Sequence, residues 1–243
     1  MKRVLTALLF LLTSGPRAGL AGPEQRPAEI PVIIDRPIRF DEERIKLTLE
    51  YRRVHQDAAA HDTGITPRVI VLHYTGGTSV QSTWAYFNRL TAEASRKSLL
   101  RAGVVNVSAH FVVDQDGTIY RLVPETTMAR HVIGLNHVSI GVENVGNGKT
   151  LPLTDAQVTA NVALIRYLAG RYAITHLIGH QEADRMRGHA YYLEKDPGYR
   201  NTHGDPGSGF MARVRAQLGD LALEGPPARP QLTPASVVRS RSW

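Results

Sequence analysis

The sequence contains no cysteine in its 243 residues. Disulfides are therefore excluded, and stability has to come from the packed core alone. The same absence excludes a lipid anchor after "LAG" at 20–22, because Pro23 stands where a lipidated cysteine would have to be. No apolar run is long enough to cross a bilayer as a helix. The longest, "VLTALLFLLTS" at 4–14, falls well short of the ~20 residues a span requires. There is no compact H-E-x-x-H motif and no long internal repeat. A nucleic-acid charge pattern is missing as well. The formal charge is +7, but Lys2, Arg3 and Arg17 lie in the first 21 residues, and without them it is +4. Residues 224–243 carry three arginines and one glutamate, which leaves +2 for the body. Such a mildly basic body suits work beside an acidic polymer such as a bacterial cell wall.

What is present reads as an ordinary globular chain, 42% hydrophobic and 21% charged, long enough for one sizeable domain or two small ones. Lys2 and Arg3 precede the short apolar run, and small residues follow up to Ala21. This predicts a signal peptide over 1–21 and an exported protein, periplasmic or secreted. Residues 22–39 are proline-rich and predict an extended lead-in. In "FDEERIKLTLEYRRVH", Ile45, Leu47, Leu49 and Tyr51 alternate like a strand, but Asp41 as an N-cap before two glutamates favours a helix. "RVIVLHYTGG", 68–77, is an apolar strand ending on His73, and a helix is predicted from Ser79 to Ala92. "SAHFVVDQDGTIYRLV" places two β-rich runs around a turn, a hairpin signature, and "VSIGVENVG" is a further strand. "TDAQVTANVALIRYLAGRY" is the clearest helix, opened by Thr154 and Gln157 as a capping box. "ITHLIGH" is a short strand and "GSGFMARVRAQL" a closing helix. Residues 223–243 predict a disordered tail. The interleaving predicts one α/β domain over 40–222, a central mixed β-sheet flanked by helices.

Four places are polar where their surroundings are not. His73 and His180 each end an apolar strand, Glu143 lies inside "SIGVENV", and His203 and Asp205 sit in the loop "THGDPG". Each has an ordinary explanation: a satisfied histidine, a glutamate facing solvent, a plain Asp-Pro-Gly turn. Together, two imidazoles and one carboxylate are the ligand set of a catalytic zinc, which leaves a fourth place for water. A nearby glutamate can then take a proton from that water. Spacing alone does not fix this assembly.

The ordered set "VIVLHYTGG", "SAHFVVDQDGTIYRLV", "HVIGLNHVSIGVENVG" and "LIGHQEAD" followed by "THGDPGSGF" resembles the type 2 N-acetylmuramoyl-L-alanine amidases, over residues 40–220. The resemblance implies the fold shared with peptidoglycan-recognition proteins and phage amidase lysozymes. It implies hydrolysis of the amide joining the lactyl group of N-acetylmuramic acid to the L-alanine of the stem peptide. It further implies a Zn²⁺ ion held by His73, His180 and Asp205, the aspartate variant of the site, with Glu143 acting on the zinc-bound water. His131 and Asn136 fall in motifs that contact the muropeptide, while His110 supports the sheet beneath the metal. The substrate is then peptidoglycan or a muropeptide, and the expected protein is a monomer that binds no nucleic acid.

Two departures from the family pattern stand out. Many relatives carry a lysine two residues before the aspartate, where it stabilises the developing oxyanion; here His203 takes that place, which implies a more pH-sensitive version of the same role. The segment 181–202 is longer than in compact relatives and brings a decoy, Asp196, in a second Asp-Pro-Gly. Asp205 is preferred because Phe210 follows its glycine by three residues, as in the family. His55, His61, His137, His176 and His189 are expected to be structural or surface groups. His176 and His180 lie in one strand about 13 Å apart, too far to share a metal. Two other readings compete: a peptidoglycan-binding protein that has lost catalysis, favoured only by His203, and a zinc peptidase cutting within the stem.

Overall fold

The computed structural model describes residues 30–228; the expected signal peptide at 1–21 and the tail beyond 228 lie outside the described residues. Six strands form one mixed sheet: β1 (Ile33–Asp35), β2 (Val69–Tyr74), β3 (Phe111–Val113), β4 (Ile119–Arg121), β5 (Ser139–Asn144) and β6 (His176–Gly179). Their order is β1-β4-β3-β5-β2-β6, and only the β3–β4 hairpin is antiparallel. This is the mixed α/β architecture expected from the interleaved pattern.

Alternation along the central strands sorts the two faces. Ile70, Leu72, Ile140, Val142 and Leu177 pack under helices α4 (Asp155–Arg171) and α5 (Ser208–Arg215), against Leu164, Ile165, Leu168, Phe210 and Met211. Val69, Val71 and Ile178 point the other way, toward Val132, Leu135, Val138 and Met186. Each such aliphatic side chain contributes ~1.5–3 kcal/mol on burial. His73 and Glu143 keep step with Val69 and Val71, so both open on the face that α4 and α5 leave uncovered.

The helices start where their caps allow. Asp41 accepts from the Arg44 N–H at 3.2 Å and opens α1 (Glu42–His55). Its buried residues are Arg44, Thr48, Tyr51 and His55, a helical spacing, so capping prevails over the strand-like alternation. Thr154 and Gln157 form the expected reciprocal box at α4. Helix α2 (Val80–Asn88), capped by Ser79, is shorter than predicted. The chain leaves it at Arg89 because Thr91 and Ala92 pair with Val105 and Val104, ahead of the short α3 (Lys97–Arg101).

Two ends of the predicted domain differ from expectation. The lead-in is extended, but it joins the sheet as β1, parallel to β4, ahead of the boundary placed at 40. The predicted tail begins ordered: Glu224 bridges to His176, with Leu177 N donating to Glu224 O at 2.9 Å.

Candidate metal centre

His73 is the fifth residue of β2, and His180 follows directly on β6, which pairs with β2. Gln181 N donates to Asp205 O at 2.8 Å, which holds the "THGDPG" loop against the 3₁₀ turn that His180 begins. Three side-chain atoms thereby converge. His73 Nδ1 and His180 Nδ1 are 3.0 Å apart, and Asp205 Oδ2 is 3.2 Å from each. A tetrahedral zinc with ligand bonds near 2.0 Å separates its ligand atoms by about 3.3 Å. The donor set, its chemistry and its spacing fit that ion. Among the described residues no other His, Asp and Glu side chains form such a group.

The charges are consistent with this convergence. Burial would raise the Asp205 carboxyl, but hydrogen bonds from His180, His203 and His73 outweigh it and hold it well below the carboxylate range. Burial, then the facing His73 ring, pulls His180 down to about 4. Burial also opposes charge on His73, yet the bond to Asp205 and the charge of Glu143 leave it raised. Two ring nitrogens 3.0 Å apart cannot both carry protons, so at least one lone pair points inward.

Glu143 lies directly opposite His73 in the β2–β5 register. Its Oε2 is buried with no hydrogen-bond partner, and burial pushes its carboxyl up to about 7. The next residue secures the strand end: Asn144 Nδ2 donates to His73 O at 3.0 Å, and Asn161 of α4 donates to Asn144 at 2.7 Å. His203 stacks on His180 with ring centroids 3.5 Å apart, and its Nδ1 lies 3.4 Å from Asp205 Oδ1. Its Nε2 is buried without a partner.

His131 and Asn136, expected to touch the muropeptide, line the cavity but turn their polar atoms to the protein. Asn136 Oδ1 accepts from the His131 and Val132 N–H groups, both at 2.8 Å, and its Nδ2 donates to Tyr51. It shapes the 131–136 loop. The His131 ring lies behind His73, with Nδ1 3.1 Å from His73 Nε2. It rests on Gly141, where a Cβ would come within 2.7 Å of the ring, so only glycine leaves room for it. His110 is fully buried as expected: it accepts from Gly141 N–H at 2.9 Å through Nδ1 and donates to Thr127 O through Nε2.

These groups open on a cavity of about 720 Å³. One wall comes from the long segment after β6, through Tyr199, Asn201 and Thr202. Arg130 anchors that wall, donating to Leu99 O, Gly103 O, Val105 O and the Tyr199 hydroxyl. Nothing local in the sequence marks Arg130 or Tyr199 for this role. Asp196, the decoy, accepts from Gly198 N–H at 2.8 Å and closes its own turn. His55 and His176 are buried in protein contacts and His61 is exposed, as expected of groups outside the site.

Comparison with known proteins agrees with this geometry. The family described as N-acetylmuramoyl-L-alanine amidase matches residues 63–208, which span all three converging side chains. Peptidoglycan-recognition protein SC2 of Drosophila simulans and of Drosophila melanogaster are each 29% identical over 116 residues, 46% of this chain. The match spans only 62% of those relatives' length. Among solved structures, the endolysine N-acetylmuramoyl-L-alanine amidase LysCS from Clostridium intestinale URNW shares the fold. It superposes with a TM-score of 0.50 at 22% identity, covering 82% of this chain and 100% of that one.

Proposed function

We propose that this chain, which belongs to the N-acetylmuramoyl-L-alanine amidase family, is an exported zinc hydrolase. Its reaction is cleavage of the amide between N-acetylmuramic acid and L-alanine in peptidoglycan or muropeptides. The observation that carries the reading is the triangle of His73 Nδ1, His180 Nδ1 and Asp205 Oδ2, with an unpartnered carboxyl, Glu143, beside it. Zinc in such a three-ligand site supplies a Lewis acid and makes water nucleophilic near neutral pH. Glu143 takes a proton from the attacking water as its oxygen adds to the lactyl carbonyl carbon. The carboxyl passes that proton to the departing nitrogen as the C–N bond breaks. The products are a lactyl carboxylate and the free α-amine of L-alanine. His203 donates from Nε2, when both of its ring nitrogens carry protons, to the oxygen on which charge builds. The basic, apolar and small-residue stretches of 1–21 support export to where peptidoglycan lies.

A second reading, a peptidoglycan binder without activity, is favoured by His203 in place of lysine and by the names of the Drosophila relatives. Mass spectrometry of a muropeptide digest separates the two. The hydrolase releases intact stem peptides beginning with L-alanine. Retention of muropeptide without release establishes the binder, and fragments cut within the stem would instead establish a peptidase.

A further inference from the structure

We infer that His131 is a positioning residue that fixes the tautomer and orientation of His73, through a directed hydrogen-bond chain ending at the Leu135 carbonyl. The inference rests on the reading of His73 as a metal ligand. Its direction follows from the far end. Leu135 O can only accept, so the Ser139 hydroxyl donates to it, at 2.8 Å. Ser139 Oγ then offers lone pairs, and His131 Nε2, 3.2 Å away, donates to it. A neutral imidazole with its proton on Nε2 accepts at Nδ1. His73 Nε2, 3.1 Å from that atom, therefore carries the His73 proton. In the neutral ring, once a metal displaces the proton that Asp205 attracts, the lone pair of His73 is on Nδ1, the atom that faces Asp205 Oδ2 and His180 Nδ1.

The fold builds this chain from one strand. Ser139, Gly141 and Glu143 alternate along β5 and share the face that carries His73. Ser139 accepts the hydrogen bond from His131 Nε2, Gly141 leaves space for the ring, and Glu143 stands next to His73. Asn136 completes the support by accepting from His131 N–H. The ring is thus held from its backbone, its underside and both nitrogens. A ligand whose second nitrogen is so constrained binds metal more tightly and with a defined geometry.

The test compares zinc affinity, by competition with a chromophoric chelator, in wild type, His131→Leu, His131→Asn and Ser139→Ala. Nitrogen-15 shifts of the His73 ring in the metal-free proteins report its tautomer. Leucine fills the space without an acceptor and should weaken zinc binding by about 10- to 100-fold. It should also leave His73 as a mixture of tautomers. Asparagine puts an oxygen near the place of Nδ1 and should restore most of the affinity and the Nε2–H tautomer. Ser139→Ala should loosen both readouts in the same direction as leucine, and decides the matter if the leucine variant does not fold. Equal zinc affinity in wild type and His131→Leu, or equal loss in the leucine and asparagine variants, overturns the inference while the metal site stands. Absence of tight zinc binding by the wild type overturns the metal reading itself, and this inference with it.

Discussion

Glu143 and His73 face each other across neighbouring parallel strands, and the carboxyl has one oxygen buried with no partner. A carboxyl in that condition is held for a proton rather than for an ion pair: burial, opposed by His73 and aided by the Asp205 charge, raises it to about 7. Glu143→Gln should lower amide hydrolysis by about 10²-fold or more while leaving zinc content and fold intact. Near-normal turnover in that variant would remove Glu143 from the chemistry. The metal-free proteins should differ as well. In wild type the folded carboxyl keeps its proton up to about 7 whereas the unfolded one releases it near 4.5. Stability from this group is therefore full below 4.5 and lost as pH rises through 7, by ~3 kcal/mol at most. Denaturant titrations of the two apoproteins at pH 4.5 and pH 8 should differ by that loss, wild type falling relative to Glu143→Gln, since the histidine contributions over the same range are common to both.

The metal ligands are separable from the decoy by substitution. Asp205→Ala should abolish stoichiometric zinc by elemental analysis, because it removes one of three converging atoms. Asp196→Ala should keep its zinc and lose only a turn contact to Gly198. The reverse pattern would move the third ligand to the insertion.

Burial of His110 sets an acid limit on the fold that is independent of metal. Its Nδ1 accepts from Gly141 and its environment pulls it down to about 4, so it stays neutral in the folded protein. The unfolded imidazole takes up its proton near 6.5. Stability from this group is thus present above 6.5 and is lost as pH falls toward 4, with a slope of about 1.4 kcal/mol per pH unit. His110→Asn retains an acceptor near Nδ1 and should flatten the stability profile between pH 6 and 4 by about one proton. An unchanged slope in urea titrations would contradict the assignment.

The long segment after β6 is tied back to α1 at His55, whose carbonyl accepts from Lys195 N–H at 2.9 Å. His55 Nδ1 lies 2.7 Å from Glu194 Oε1, and both side chains are nearly inaccessible, at 0% and 5% exposure. His55→Leu leaves the Glu194 carboxyl buried without that partner, which should destabilise by about 3–5 kcal/mol. Hydrogen exchange should quicken first around residues 194–199, ahead of the sheet. Uniform quickening across the domain would mean that the contact holds the whole fold rather than this wall.

The legible parts of this site were those written locally. His73 and His180 stood out because each ends an apolar strand, and the capping box of α4 and the β3–β4 hairpin have short-range signatures. Asp205 and Asp196 share the same tripeptide; Phe210 favours Asp205 in the sequence, and the path of 181–202 brings Asp205 to the two histidines. His131 could be placed near the site but not given its partner, because His73 meets it across 58 residues of sequence. Strand β1 was hidden by the prolines at 31 and 37 that flank it. The pairing of Thr91 with Val105, which shortens α2, left no signal within the helix itself.

His203 carries the most exposed prediction. Asp205 Oδ1, 3.4 Å from His203 Nδ1, can only accept, so the proton of a neutral ring sits on Nδ1. Nε2, the atom without a partner, is then a lone pair and cannot donate to an oxyanion. It becomes a donor only when the ring is doubly protonated. A lysine ammonium in this place has protons to donate without that requirement. His203→Ala should therefore lower turnover more than substrate affinity, by about 10²- to 10³-fold for one lost donor. His203→Lys should recover much of the rate, because the ammonium supplies the donor that alanine lacks. The alternative is that stacking on His180 at 3.5 Å is the whole function of this ring. In that case His203→Phe, which keeps a stacking face, should be as active as wild type. A rescued rate in the lysine variant, with His203→Phe as slow as His203→Ala, assigns His203 Nε2 to the oxyanion.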